Sequence, residues 1–268
     1  MRVVVCGFLT FFAIPAPSAP QSNDQGLAPS VAKALTEAKV KKVVVFDFIG
    51  PGEKLNQLGQ EMADGLGLSL AESGKKFHVI DRAAVLKVVE KNRVTQDVVR
   101  EPEIAWWLAR QLGADALVVG TLSISNQLEI NVGLAKVHDG KQFDGFSMSV
   151  PLTEEMHKRL ENSLTENYAA KFVKLGENAS SLPACIYCPR PDYPAAALAQ
   201  KRQATVVLAV LVGTDGLADK IAITTPGPYG FTQKAIESVQ AYKFKPAIGL
   251  DGSPVGAWAP IEMTFRLF

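Results

Sequence analysis

The chain has 268 residues, which at about 150 residues per domain is enough for nearly two domains. Hydrophobic residues make up 47% and charged residues 21%, a globular balance that excludes a disordered or low-complexity protein. The 28 basic and 27 acidic residues leave a formal net charge of +1. So nearly neutral a chain lacks the basic surface that nucleic-acid binding or attachment to an anionic membrane requires.

The first twenty residues have the order of a secretory signal peptide. Arg2 gives a positive start, residues 3–14 are almost entirely apolar, and small residues follow Pro15. The apolar run is shorter than the roughly 20 residues that cross a membrane. We therefore predict a cleaved signal over residues 1–19 and an exported, periplasmic protein that is at most peripheral to a membrane.

Residues 40–175 have the pattern of an α/β domain with about five strands and intervening helices. Runs of β-branched and aromatic residues predict buried strands at residues 42–48, 77–80 and 116–121. Asp139-Gly140 lies between two further strand-like segments and predicts a hairpin. A stripe of apolar residues from Met156 to Phe172 predicts a long helix at the end of the domain.

Several motifs of this region occur in an order that is typical of a known family. They are Val-Val-Val-Phe-Asp-Phe at 43–48, Phe-His-Val-Ile-Asp-Arg at 77–82, Leu-Gly-Ala-Asp-Ala-Leu-Val-Val-Gly at 112–120 and Val-His-Asp-Gly at 137–140. With these motifs residues 40–150 resemble the N-terminal domain of TolB and its exported relatives, which include the curli-secretion lipoproteins. The resemblance implies a location in the cell envelope and contacts with other proteins, and it names no catalytic residue.

Two cysteines, Cys185 and Cys188, remain once the signal is removed. In an oxidising compartment such a pair is expected to form a disulfide. The three histidines lie far away in sequence, and Pro189 stands where a c-type haem site needs histidine, so we predict no metal and no cofactor. An envelope thiol–disulfide oxidoreductase that uses this pair is the alternative; it needs a helix N-terminus, whereas Pro189 and Pro191 favour extended chain.

The small polar run at residues 176–181 is predicted to be a linker between two domains, 40–175 and 182–268, that fold separately. The second domain has a β-β-α-β order. Its strands are predicted at 203–212, 217–225 and 259–268, with a helix that contains Ala235 and Val239. That order within so short a segment predicts a small α+β domain.

The second domain carries spaced motifs of its own. They are Tyr193-Pro194 before a helix, Asp215-Gly216 between two strands, Lys-Phe-Lys-Pro-Ala at 243–247 and Asp-Gly-Ser-Pro at 251–254. On these motifs residues 182–268 resemble the C-terminal domain of TonB. The resemblance implies that the domain binds an extended peptide of an outer-membrane or envelope partner by adding it to the sheet as a strand, with a link to TonB-dependent transmembrane transport.

The same resemblance implies where a partner peptide makes its contacts. Two segments are involved, one around the Tyr-Pro motif and one on the last strand: Arg190, Pro191, Tyr193, Pro194, Met263, Phe265 and Leu267. We expect backbone contacts to dominate, so that Met263→Pro weakens binding if the Met263 amide points outward.

Catalysis finds little support in the sequence. The known nucleophile, phosphate-loop and zinc-helix motifs are missing, and Asp47 and Asp81 at strand ends are better explained as turn and helix-cap residues than as an acid–base pair. We therefore predict a two-domain exported protein-binding protein with no catalytic residue. A secretion-associated oligomer built by the first domain is the other alternative.

Overall fold

The structure is a computed structural model that describes residues 26–73 and 76–267, so the predicted signal peptide lies outside the described residues. The helices are α1 (Leu27–Glu37), α2 (Gln57–Ser73), α3 (Arg82–Lys91), α4 (Pro102–Gln111), α5 (Glu154–Glu161), α6 (Ala195–Ala199) and α7 (Phe231–Gln240). Within the described ranges, none of these helices is long and apolar enough to cross a membrane.

The strands fall into two larger sheets and two small ribbons. The first sheet holds β1 (Lys42–Val45), β2 (Ile49–Gly50), β3 (Lys54–Leu55), β4 (His78–Ile80), β5 (Ala116–Ile124), β6 (Leu128–Lys136) and β7 (Gln142–Val150). The second holds β9 (Ala204–Val212), β10 (Ala218–Thr225) and β14 (Ala257–Phe265). The ribbons pair β8 (Ala184–Tyr187) with β11 (Lys243–Lys245), and β12 (Ala247–Ile248) with β13 (Pro254–Val255).

The first sheet is mixed, because β1 pairs in parallel with β4 and β5 whereas β6 and β7 continue it antiparallel. Helices cover β1 on both faces, which explains its uninterrupted apolar sequence. On one face Leu70 of α2 belongs to the same core cluster as Val43. On the other face Val89 of α3 and Leu108 of α4 belong to the cluster of Val44. The predicted α/β architecture and the predicted hairpin are therefore present, with two very short strands added.

The predicted long helix from Met156 to Phe172 is wrong, because α5 ends at Glu161. The chain leaves the helix to satisfy backbone groups of β3. The Leu164 N–H donates to the Leu55 carbonyl at 2.8 Å, and the Leu55 N–H donates to the Thr165 hydroxyl at 2.9 Å. The apolar stripe reflects two different contacts, since its later residues pack against the second sheet.

The second sheet has the antiparallel order β10-β9-β14, with α7 packed on one face. Residues of β9 alternate between the faces, as a half-covered strand requires. Leu208 and Val210 lie with Ala235 and Ile236 of α7 in one core cluster, whereas Ala209 lies under a smaller cluster on the opposite face. The predicted β-β-α-β order is observed; the β8–β11 and β12–β13 ribbons were not predicted.

The two parts of the chain touch through backbone as well as side chains. The carboxylate of Glu103 in α4 accepts the N–H groups of Tyr229 and Gly230, at 2.7 and 2.8 Å, immediately before α7. In the predicted linker, Ala179 is fully buried and the Ser180 N–H donates to the Ile248 carbonyl at 2.7 Å. Separate folding of 40–175 and 182–268 stays a prediction, now with these contacts to be considered.

Candidate functional site

An open sheet has two edge strands, each with a row of backbone groups that need partners. One edge of the second sheet, β10, is covered by the first part of the chain. The Ile221 N–H donates to the Arg93 carbonyl at 2.7 Å, and the Thr95 N–H donates to the Ile221 carbonyl at 3.0 Å. The Arg100 guanidinium adds a hydrogen bond of 3.1 Å to the Ile223 carbonyl. This edge therefore has no room for a further strand around Ile221.

The other edge is β14, whose beginning is covered by Phe172 and Val173. The Trp258 carbonyl accepts the Val173 N–H at 3.0 Å from outside the sheet. Backbone groups of an antiparallel edge strand alternate between partner and solvent. The outward positions are therefore Trp258, Pro260, Glu262 and Thr264. Within the described ranges, the Glu262 and Thr264 amides donate no backbone hydrogen bond to a segment outside the sheet.

This alternation turns the Met263 amide inward, where Met263 is paired with Val206 of β9. The side chains of Met263 and Phe265 are also buried, at 5% and 3% exposure, and Leu267 donates its N–H to the Gln203 side chain at 3.2 Å. The partner role predicted for these three residues stays a prediction. With the Met263 and Phe265 side chains in the core, the strand presents outward backbone groups at this edge.

A groove of about 320 Å³ runs beside the open edge of β14. One wall is the strand itself, from Ala259 to Glu262, and the other is formed by Pro183, Cys185 and Cys188. Tyr242 and Phe244 also line the groove, with side chains that are largely buried. The site thus combines unpaired backbone groups with an apolar lining and one carboxylate at its rim.

In the structure, the two cysteines of this wall form a disulfide. The sulfur atoms of Cys185 and Cys188 lie 2.06 Å apart and the Cα atoms 6.0 Å apart, the arrangement of a disulfide. Cys185 belongs to β8 and is paired with Phe244 of β11. The pair therefore lies in extended chain and not at a helix N-terminus, where a thiol pKa is lowered. Its oxidised state in exported protein stays a prediction.

The segment around the Tyr-Pro motif lies at the far end of β14. The Tyr193 ring packs edge-on against Phe231 and Phe265, with centroids 5.5 and 6.0 Å away, and its hydroxyl donates to the Arg202 carbonyl. The fold thus brings Tyr193 and Phe265 together, as a shared site requires. Pro194 is buried, Pro191 is half-buried and Arg190 is exposed.

The two aspartates at strand ends have structural partners. Both Asp47 oxygens accept hydrogen bonds from the Arg82 guanidinium, at 2.5 and 3.0 Å, and Asp81 caps α3 by accepting the Ala84 N–H at 2.7 Å. The hydrogen bond to Asp47 raises the pKa of Arg82 above its usual value. The role of Arg82 is not predictable from the sequence, because nothing in the spacing shows that its side chain reaches Asp47. Among the described residues, no group of three or more His, Cys, Asp or Glu is arranged to hold a metal ion.

Comparison with known families shows what the segment that contains β14 resembles. Residues 189–267 match the family model of the Gram-negative bacterial TonB protein C-terminal. The match confirms the resemblance for that segment, which is less than a third of the chain. The search of the curated proteins found no match.

Solved structures also resemble this chain over part of its length. The LpoB C-terminal domain from Escherichia coli is 21% identical with a TM-score of 0.40, covering 47% of this chain and 95% of its own. Lipoprotein GNA1162 from Neisseria meningitidis is 17% identical with a TM-score of 0.35, covering 46% and 99%. TolB from Acinetobacter baumannii is 10% identical with a TM-score of 0.27, covering 81% and 38%. All three TM-scores are low, so we base no inference on these likenesses.

Proposed function

We propose that this protein is a cell-envelope interaction protein that takes an extended peptide of an outer-membrane or envelope partner as a further strand beside β14. The main support is that one edge of the second sheet is covered by the chain and the other is open. Residues Arg93 and Thr95 occupy the β10 edge, whereas the outward groups of Pro260 and Glu262 border a groove. The family match of residues 189–267 supports the same mode of binding.

An added strand satisfies the backbone groups that β14 leaves open. Pro260 offers only its carbonyl, so the donors available to a partner are the Glu262 and Thr264 amides. The run from Pro260 to Phe265 is about 20 Å long at 3.3 Å per residue. Side chains of a bound peptide that point into the groove meet Tyr242, Phe244 and the disulfide, which favour apolar residues at alternate positions.

The composition of the edge favours a foreign partner over a second copy of this chain. A proline and an outward charge are devices that limit pairing between identical edges, and β14 carries Pro260 and Glu262. The alternative of a secretion-associated oligomer predicts a self-associating chain. A mass measurement in solution that finds a monomer supports the peptide-binding proposal, and a stable oligomer that buries β14 counts against it.

The proposal places the protein in the periplasm and gives it no catalytic role. The signal-like order of residues 1–19 and the match to a Gram-negative envelope family support that location. A link to TonB-dependent transport is part of the same proposal, and it follows only if the partner is an outer-membrane transport protein.

Glu262→Pro tests the proposal directly. The substitution removes an outward donor and leaves the ladder with β9 intact, as native Pro260 does two residues earlier. We expect peptides from a library of envelope proteins to protect amides of residues 259–266 from hydrogen exchange in the original chain. Loss of one backbone hydrogen bond to the peptide, about 1 kcal/mol, weakens binding by about fivefold in Glu262→Pro.

Glu262→Ala is the matched control, because it removes the side chain and keeps the amide. It is expected to bind the peptide within about twofold of the original chain. Equal losses in the two variants would assign the effect to the carboxylate, and a library without any peptide that protects β14 would remove the main support for strand addition. Met263→Pro is unsuitable as this test, because it breaks the pairing with Val206 and so acts on the fold.

A further inference from the structure

A second cavity lies in the first part of the chain, at the carboxyl ends of β1 and β4. β1 leads, through the short strands β2 and β3, into α2 on one face of the sheet, and β4 leads directly into α3 on the opposite face. Two connections that leave neighbouring parallel strands toward opposite faces open a crevice between them, which is where open α/β sheets bind ligands. The crevice has a volume of about 410 Å³, in the usual range for a small-molecule site.

Apolar side chains from both helices line most of this crevice. Leu68 of α2 stands at its mouth with 68% of its surface exposed, and Val85 and Leu86 of α3 line the other side above the buried Val89. Small-molecule sites are concave and mostly apolar, with a few polar groups that orient the ligand, and this crevice has the same character.

The ionisable groups that line the crevice are three carboxylates and one guanidinium: Asp47, Asp64, Asp81 and Arg82. The guanidinium is already engaged, since Arg82 binds both oxygens of Asp47 and lies 3.1 Å from an Asp64 oxygen. The N-terminus of α3 is capped by Asp81. An anionic ligand, such as the phosphates that crevices of this topology often hold, therefore meets an excess of negative charge.

The helix that forms one wall has a glycine at the crevice. A Cβ at Gly67 would meet no atom within 4 Å, so the packing of the described residues does not require glycine there. Glycine weakens a helix interior relative to alanine. Its missing side chain keeps the mouth of the crevice open beside Leu68.

We infer that the crevice between α2 and α3 binds a small amphiphilic cation. The apolar body of the ligand packs between Leu68 and Leu86, and its amine is held by the carboxylates of Asp64 and Asp81. This site is independent of the β14 groove, which lies in the other part of the chain.

Three probes that share an aromatic body and differ in charge test the inference: phenethylammonium, phenethyl alcohol and phenylpropionate. Each is titrated into the full chain at neutral pH and followed by backbone amide chemical shifts. We expect shifts in α2 and α3, with the cation binding about fivefold more tightly than the alcohol, the upper range for a partly exposed ion pair. Phenylpropionate that binds as tightly as phenethylammonium, or shifts confined to other elements, would overturn the inference.

Gly67→Leu and Gly65→Leu form a matched pair of variants. Both replace a glycine of α2 that has open space around it, but only Gly67 lines the crevice. Gly67→Leu is expected to weaken phenethylammonium binding at least about tenfold by filling the space, whereas Gly65→Leu binds like the original chain. Unchanged binding in Gly67→Leu would overturn the site.

Asp64→Asn separates the charge from the shape of the crevice. It is expected to bring the affinities of phenethylammonium and phenethyl alcohol within about twofold of each other. A preference for the cation that survives in Asp64→Asn contradicts the assigned role of this carboxylate. Glu262→Pro, which disables the β14 edge, should bind phenethylammonium unchanged, so failure of one proposal leaves the other to be judged by itself.

Discussion

Tyr168 connects three separate segments through one side chain. Its hydroxyl donates to the carboxylate of Asp97 at 3.1 Å, and its ring packs on Trp258 with centroids 5.0 Å apart. Tyr168 and Asp97 are both buried, at 8% and 4% exposure. Burial raises the pKa of the Tyr168 hydroxyl well above its usual value, so the group stays a donor wherever the protein is folded.

Tyr168→Phe is expected to lower the free energy of unfolding by about 1–3 kcal/mol, because it keeps the ring contacts and leaves Asp97 without this donor. Urea unfolding measures the change. Tyr187→Phe is the control, since that ring is 57% exposed and its loss of a hydroxyl should cost less than about 0.5 kcal/mol. Equal stability of the two variants would show that the Tyr168–Asp97 hydrogen bond contributes little.

Glu101 is a carboxylate at the start of α4 whose ionisation destabilises the folded protein. Burial raises its pKa, and neighbouring Glu53, Asp97 and Glu103 raise it further against the opposing effect of Arg100. A raised pKa in the folded state means that the ionised group destabilises the protein. The penalty is absent below the ordinary value of 4.5, where both states are protonated, and grows as pH rises through the folded pKa.

Glu101→Gln is therefore expected to raise the free energy of unfolding at neutral pH by about 0.5 kcal/mol, and to have no effect in acid below the ordinary carboxyl pKa. Glu72→Gln, on the exposed surface of α2, is the control and should leave stability unchanged at both conditions. A gain that is the same in acid and at neutral pH would assign the effect to packing and not to ionisation.

Short sequence patterns predict the roles of residues that interact with their neighbours in sequence. Asp81 was predicted to cap a helix and does so, because an N-cap depends only on the next three residues. The ion pair of Arg82 with Asp47 joins positions 35 residues apart, and it is fixed by the parallel pairing of β1 and β4. A sequence pattern that spans a few residues does not reveal a contact between positions so far apart in the chain.

At the scale of elements, the sequence predicts three strands for the second sheet but not which of its edges is open. The β10 edge is closed by Arg93 and Thr95, which lie more than 120 residues earlier in the chain. The β8 strand was also missed. Its four residues are all exposed, so it lacks the alternation by which a half-buried strand is recognised.

Because one of its cysteines lies in β8, the disulfide is expected to shape the groove as well as to stabilise the fold. The bond closes a very short loop, for which chain entropy contributes at most about 2 kcal/mol to stability. Its larger effect is expected on the groove, because Cys185 and Cys188 form the wall that faces β14.

Replacement of both Cys185 and Cys188 by Ser is expected to weaken peptide binding at β14 by about tenfold, beyond what the loss of stability produces while the protein remains folded. Binding measured with and without a reductant on the original chain provides the comparison, and reduction should reproduce the effect of the double variant. Unaltered affinity in both cases would mean that the wall is positioned by the β8–β11 pairing alone.

At the scale of the whole molecule, the polar composition of residues 176–181 predicts a boundary between two domains. Contacts between distant residues nevertheless connect the two parts of the chain. One core cluster holds Val98 and Ile104 from the first part together with Ile221 and Phe231 from the second. Such contacts cannot be read from composition, since each depends on how two finished sheets meet. The family match begins at residue 189 and therefore includes none of the residues that cover β10 or the far face of the sheet.

The shared contacts predict how the C-terminal part behaves when it is separated. Tyr168 and Phe172 cover the face of the second sheet that contains Ala209 and Ala222, opposite α7. A fragment of residues 182–268 exposes that face, whereas a fragment of residues 162–268 keeps it covered. We expect the longer fragment to be more stable toward urea by about 3 kcal/mol, the burial of two aromatic side chains at 1.5–3 kcal/mol each less the entropy of ordering the added segment.

The longer fragment with Tyr168→Ala and Phe172→Ala is the control, and its stability should fall to that of the shorter one. Both fragments should be less stable than the full chain, because they lack the pairing of Arg93 and Thr95 with β10 and the cap that Glu103 provides for α7. If residues 182–268 alone unfold at the same urea concentration as the second part of the full chain, the two parts fold separately and the contacts between them add no stability. A lower midpoint for the isolated part would instead mean that the first part holds the sheet in shape and closes β10, which leaves β14 as the edge that a partner can reach.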